Sequence, residues 1–270
     1  MNTSLTQKQI DKYQRDGCLI FEEFLTPDEV NEMLEAVSES VGQMGKQKVA
    51  GEGNVDLVEA DSYYDKVFLQ RLNLWKINDT IKRFFLNPAL GRMLCQLAGV
   101  DGIRIWHDQT LQKQPWGNPT AWHLDNPYWS FHSKNAISIW IALDDATIQN
   151  GCLYYLPGSH KIARYDNVDI GENISDLFKH YPEFKSIDPV VANMKAGMAG
   201  VHNGLTAHGA GPNMTPYPRR AMTCAYMPDG ARFNGQQNVL SKEQVARLNV
   251  GDLLNDELQN PLVWSEKMSV

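Results

Sequence analysis

From the N-terminus to Gly99 apolar positions recur mostly at helical spacing, and from there to about residue 230 they fall in short alternating runs between turn residues. Thr6 with Gln9 has the pattern of a capping box, and Gly17 supplies a helix stop. Thr26 and Glu29 repeat the box, with Pro27 at the first helical position, where its missing N–H costs nothing. Val30, Met33, Leu34, Val37 and Val41 then predict one buried face. Between the two helices Leu19, Ile20 and Phe21 suit a short strand. Residues 42–66 lose this periodicity and predict a long loop, of the kind that is either a functional lid or a disordered segment. A second helical stretch follows, breaks at Asn87-Pro88 and stops at Gly99.

Beyond Gly99 the period changes to two. Ile103 and Ile105 alternate with polar neighbours. Residues 136–143 are the clearest strand: Ile137, Ile139, Ile141 and Leu143 share one face, and Ala136, Ser138, Trp140 and Ala142 the other. Asn150-Gly151 and Pro157-Gly158 are turns around a strand at 152–156, whereas 164–189 is polar and irregular. A strand after Gly197 ends near His208, a turn-rich segment spans 209–218, and another strand runs from Arg219 to Met227. Many short strands behind a helical layer predict a mainly β chain, an antiparallel sandwich or jelly roll with helices on one side. With no repeat and no linker, one domain is expected: helices over about 5–99, a core over about 100–230 and a tail at 231–270.

The formal charge of −7 leaves no basic footprint, which argues against nucleic acid and against an anionic membrane surface as partners. No apolar run reaches spanning length, and the opening MNTSLTQKQID lacks the basic and apolar regions of a secretory signal. Cys18, Cys95, Cys152 and Cys224 lie too far apart for a zinc motif, and they read as small buried hydrophobes in a reducing cytoplasm.

The candidate chemistry begins with HLD at 123–125. On an extended segment His123 and Asp125 project the same way and can meet one metal ion. His208 follows after 82 intervening residues, enough chain for several strands to return it to the same cavity. Two histidines and one carboxylate on one octahedral face leave adjacent positions open, the arrangement suited to iron(II) oxygenases. Arg219 stands eleven residues past His208, across a turn-rich segment. There its planar, permanently charged fork would meet the far carboxylate of a metal-chelating diacid, while Arg220 points to the opposite face. The aromatic cluster Trp122, Tyr128, Trp129 and Phe131, just past the metal pair, is the first candidate for a substrate wall. His107, His132 and His160 read as structural histidines.

HLD at 123–125, Trp140, NGCLYYLPGSHK at 150–161 and HGAGPN at 208–213, with an arginine eleven residues beyond the histidine, resemble the phytanoyl-CoA dioxygenase family. The opening LTQKQIDKYQRDGCLIFEEFLTPDEV is similar to that family's N-terminal helix–strand–helix, so the resemblance runs from about residue 5 to 228. It implies a double-stranded β-helix, a cupin-like jelly roll, with the site in the barrel mouth. It implies iron(II) bound by His123, Asp125 and His208, 2-oxoglutarate anchored by Arg219, and Trp140 lining the co-substrate pocket. Gln109 and Lys113, on the preceding strand, correspond to positions where related enzymes offer polar groups to the co-substrate. The implied reaction consumes dioxygen and 2-oxoglutarate, hydroxylates a C–H bond of a small or medium organic substrate, and releases succinate and carbon dioxide.

Three positions depart from the family pattern. Ala210 stands where a hydroxyl residue is frequent, Met198 where an aspartate is frequent, and Leu124 where glutamine is common; none is a ligand. Two other readings stay open: a cupin-like metalloenzyme that ignores 2-oxoglutarate, and a metal-free jelly-roll binding protein. The irregular composition of 42–66 and of the tail around Trp264 leads to the expectation that both close over the substrate.

Overall fold

The computed structural model describes residues 1–51, 66–166 and 168–269. Both capping boxes form. Thr6 opens α1 (Gln7–Asp16), which ends at left-handed Gly17, and Thr26 opens α2 (Pro27–Met44). The short strand between them is β1 (Cys18–Phe21). The helical expectation for 67–86 holds only in part. β2 (Leu69–Leu72) and a 3-10 turn at Leu74–Lys76 precede α3 (Asp79–Phe85) and α4 (Pro88–Ala98). Tertiary pairing overrides helical spacing there, because β2 is held by its ladder with β3 (Gly102–Lys113).

After β3 come β4 (Thr120–His123), β5 (Ile137–Ala142), β6 (Leu153–Tyr155) and a four-residue helix α5 (Leu177–His180). Then follow β7 (Val190–Ala192), β8 (Ala199–Asn203), β9 (His208–Ala210), β10 (Arg219–Pro228), α6 (Lys242–Val245) and β11 (Leu262–Ser265). A seven-stranded sheet has the order β1-β8-β5-β10-β3-β11 with β2 also on β3, and a four-stranded sheet runs β4-β9-β6-β7. Every strand pairing is antiparallel. The two sheets form the jelly roll.

The helices cover one face of the large sheet. Ile137, Ile139 and Ile141 of β5 share a core with Val30, Met33 and Val37 of α2 and Leu90, Leu94 and Leu97 of α4. Each such aliphatic side chain contributes about 1.5–3 kcal/mol by leaving water. The alternate residues Trp140 and Ala142 belong to a separate cluster on the inner face. The predicted parity of this strand is therefore the observed one.

The segment after Gly197 is two strands rather than one. A turn closed by Thr206 N donating to the Asn203 carbonyl (2.8 Å) separates β8 from β9 and sends them to different sheets. All five residues of β8 are buried, so no solvent face marks its end. The tail expectation is also corrected. β11 pairs with β3 at Gly102–Arg104, and Val263 and Trp264 pack on Gly91 of α4, away from the metal-site cavity; Asn238 and Val239 are the C-terminal residues that line it. Of the expected 42–66 loop, 42–44 complete α2 and Val49 bridges to Leu72, while 52–65 lie outside the described residues.

Asp108 fastens β3 to the 3-10 turn: its carboxylate accepts from Leu74 N (2.7 Å) and Trp75 N (2.8 Å) with no exposure to solvent. Asp108→Ala orphans both donors and is expected to lower stability by about 1–3 kcal/mol for each. Urea denaturation checks this as a lower midpoint at an unchanged slope. No helix among the described residues is long and apolar enough to cross a membrane.

Candidate metal centre

The small sheet sets two imidazoles side by side. His123 closes β4 and lies opposite His208 on β9, with ring centroids 4.1 Å apart. Each ring is oriented by its own backbone: His123 Nδ1 meets the Ala121 carbonyl at 2.8 Å and His208 Nδ1 the Thr206 carbonyl at 3.0 Å. A carbonyl only accepts, so Nδ1 carries the proton and Nε2 is left as a free lone pair.

Asp125 completes the group from a bent backbone rather than from the strand expected. Its φ of −75° and ψ of −51° begin the 3-10 turn Asn126–Tyr128, which swings the carboxylate back toward the rings. Asp125 Oδ1 then lies 3.6 Å from both His123 Nε2 and His208 Nε2. The three ligand-type atoms all fall within 4.8 Å of one another, close enough to hold one metal ion. Burial alone would raise the Asp125 carboxyl, yet the imidazoles of His208, His123 and His202 around it hold it well below the usual range. The His208 imidazole is pushed well below its ordinary value, first by burial and then by His123. Both effects favour the deprotonated forms that bind metal.

The inner face of the large sheet arrives in rows set by strand register. One row runs His202, Ser138, Ala225, His107 across β8, β5, β10 and β3. The next, about 7 Å along the strands, is Gly200, Trp140, Thr223, Gln109. Two rows further, Arg219 and Lys113 lie opposite each other. A cavity of about 240 Å³ lies between the sheets, and His123, Asp125, His208, Arg219, Trp140 and Gln109 all line it.

Arg219 is fully buried. Its guanidinium folds back over the Trp140 ring, 5.1 Å from the centroid, and donates to the carbonyls of Leu111 (3.3 Å) and Gly151 (3.1 Å). Gly151 can present that carbonyl because it adopts φ +88°, and a Cβ there would stand 2.5 Å from the Gly211 oxygen. Arg219 makes no ion pair among the described residues, and its Nε has no partner there. Burial lowers it only to about 10, so it stays cationic. Arg220 turns away as expected and pairs with Asp144 at 2.6 Å.

Lys113 is fully buried but does not line the cavity. Its ammonium donates to the Asn118 carbonyl (2.7 Å) and packs on Phe68, the ring that Arg219 also faces. Burial and then Arg219 push it down to about 6. Gln109 accepts a hydrogen bond from Gln70 of β2.

The expected aromatic wall is divided. Tyr128 and Trp129 line the cavity. Trp122 does not: it neighbours His123 on a strand, so it faces outward to Phe178 at 5.9 Å. Phe131 lies behind, in edge contact with Trp106 at 5.3 Å. His107, which reads as structural in the sequence, also lines the cavity, and so does His202, which no sequence motif singles out. The His107 ring stands edge-on to Trp129 at 6.2 Å, its Nδ1 has no partner among the described residues, and burial lowers it to about 4. Parity with Gln109 on β3 was the available signal for His107.

The sequence profile of the phytanoyl-CoA dioxygenase family (PhyH) matches residues 13–221. The chain belongs to that family. Membership makes it an oxidoreductase of the iron(II)- and 2-oxoglutarate-dependent dioxygenase class. A probable alpha-ketoglutarate-dependent hypophosphite dioxygenase of Stutzerimonas stutzeri is 27% identical over 225 residues, 81% of this chain and 77% of the relative. A phytanoyl-CoA dioxygenase of Arabidopsis thaliana is 24% identical over 246 residues, 81% and 87% of the two chains. Among solved structures, the non-heme alpha-ketoglutarate-dependent carbocyclase SnoK from nogalamycin biosynthesis superposes with a TM-score of 0.75 at 25% identity, covering 96% of each chain.

Proposed function

We propose that this PhyH-family enzyme hydroxylates a C–H bond of a small or medium, uncharged organic molecule with an apolar body. In this reading His123, Asp125 and His208 hold iron(II), and Arg219 receives the far carboxylate of 2-oxoglutarate above Trp140. One observation carries it: a fully buried guanidinium with no anion among the described residues shares a cavity with three converging ligand atoms. An unpaired buried cation is costly, and a dicarboxylate bridging metal and arginine relieves that cost. Bound iron(II) with 2-oxoglutarate and dioxygen supplies the oxidation, delivering one oxygen atom to the substrate and one to succinate with loss of carbon dioxide.

Other residues shape that site. Thr120 lies opposite Ala210 in the ladder and lines the cavity, so its hydroxyl stands in for the one Ala210 lacks. Gln109 offers an amide from the wall. Lys113, pushed down to about 6, would regain its proton and add positive potential behind Phe68 once an anion fills the cavity.

The substrate class rests on the remaining walls. Tyr128, Trp129, Leu72 and Val239 are aromatic or apolar, and Arg219 is the sole Lys or Arg among the described lining residues. That suits an uncharged body better than a phosphate-bearing one. His107, a neutral imidazole whose Nδ1 has no partner among the described residues, is the natural hydrogen-bond partner for a substrate polar group. The same reading takes the whole chain as one oxygenase domain. Four buried free thiols suit a reducing, cytoplasmic setting.

The test is succinate release across a metabolite library with anaerobically iron-loaded protein. Uncharged organic compounds should stimulate it, one succinate per hydroxylated product; stimulation confined to anionic esters would overturn the substrate class. With a substrate in hand, His107→Leu is expected to weaken its binding by roughly 5- to 150-fold. Binding of 2-oxoglutarate, measured in parallel, should stay at the wild-type value.

A further inference from the structure

A carboxylate that serves a metal through one oxygen has a second oxygen that can also chelate. In an octahedral site with two imidazoles and a bidentate co-substrate, a bidentate aspartate would fill the position that dioxygen needs. The fate of the outer oxygen of Asp125 therefore decides whether the centre can work.

That oxygen is occupied. Asp125 Oδ2 accepts from Ser138 Oγ at 3.2 Å and from His202 Nε2 at 3.1 Å, while Oδ1 faces the two ligand imidazoles. The ligands come from the small sheet and its following turn; both donors come from the large one. Ser138 of β5 and His202 of β8 are directly opposite in the ladder, so backbone register presents them together. His202 is buried, with its ring 4.4 Å from His208 and 5.4 Å from Tyr155, and it is not among the converging ligand atoms. Gly200, two residues earlier, leaves the room this packing needs: a Cβ there would come within 2.7 Å of the Tyr155 hydroxyl.

We propose that His202, assisted by Ser138, is a positioning residue that pins Asp125 Oδ2 and keeps the carboxylate monodentate, preserving the open positions of the metal. The inference rests on Asp125 being a ligand. Outer-sphere partners of this kind orient the ligand and tune the metal, and their loss weakens metal binding by roughly 10- to 100-fold.

The experiment is anaerobic titration of the full chain with iron(II), then with 2-oxoglutarate. Two quantities are followed: iron affinity, and the visible charge-transfer band that a chelated 2-oxo acid gives with iron(II). His202→Ala should weaken iron binding by roughly 10- to 100-fold and displace the band. His202→Gln, whose amide can still donate to Oδ2, should recover most of the affinity and the wild-type band, a rescue that a packing role would not give. Ser138→Ala should produce a smaller shift of the same sign, and it carries the test with His202→Gln if the alanine variant does not fold. Wild-type affinity and band in a folded His202→Ala protein would overturn the proposal alone. A wild-type chain that binds no iron would instead remove the ligand assignment, and this proposal with it.

Discussion

Asp125→Ala is expected to abolish oxygen transfer, with a loss of iron(II) affinity beyond the roughly 10- to 100-fold typical of outer-sphere changes. The side chain supplies the only carboxylate of the converging group, through an oxygen 3.6 Å from both imidazole nitrogens. The fold should survive, because the ladder of β4 and β9 and the packing of both histidines do not depend on that carboxylate. Losing it orphans Ser138 Oγ and His202 Nε2, a stability cost of about 1–3 kcal/mol each. Asp125→Asn separates charge from shape, since the amide keeps the volume and a hydrogen-bonding oxygen but not the charge. Iron content after anaerobic loading and succinate release are the measurements, with far-ultraviolet circular dichroism confirming the fold. An alanine variant that still transfers oxygen contradicts the ligand assignment.

Arg219→Ala should raise the 2-oxoglutarate concentration needed for half-saturation by roughly 30-fold to a few thousand-fold. That range follows from the roughly 2–5 kcal/mol lost on truncating one partner of a buried charge pair. The requirement for the organic substrate should barely move. The asymmetry comes from location: Arg219 sits three rows along the sheet from the His202–Ser138–His107 row, and its guanidinium lies over Trp140. Arg219→Lys should recover only part of the effect, because an ammonium cannot reproduce the planar fork. Loss of the bonds to Leu111 and Gly151 is partly offset by removing a buried cation that has no anion among the described residues, so the variant should remain folded. Equal increases for co-substrate and substrate would count against the assignment.

Much of this architecture is legible from local pattern. The caps at Thr6 and Thr26, the stops at Gly17 and Gly99 and the two faces of β5 all form as their residues imply. They depend on neighbours within a few positions, which a sequence displays directly. β2 was hidden in helical spacing, because only its ladder with β3 decides its state. The boundary between β8 and β9 was hidden as well, since burial on every side erases the alternation that marks a strand. Trp122 and Phe131 show the limit of counting aromatics near a motif: chain proximity to His123 did not bring either to the cavity.

That His123, Asp125 and His208 are candidates to share one ion, with Arg219 set apart from them, was determined by the sequence alone, through residue types whose chemistry has few substitutes. What the tertiary structure decided is which other groups meet them. His202 reaches Asp125 across 77 positions of chain, and His107 faces the same cavity, because strand register sets which residues lie in one row. Register is fixed by the packing of whole sheets, and no short stretch of sequence carries it.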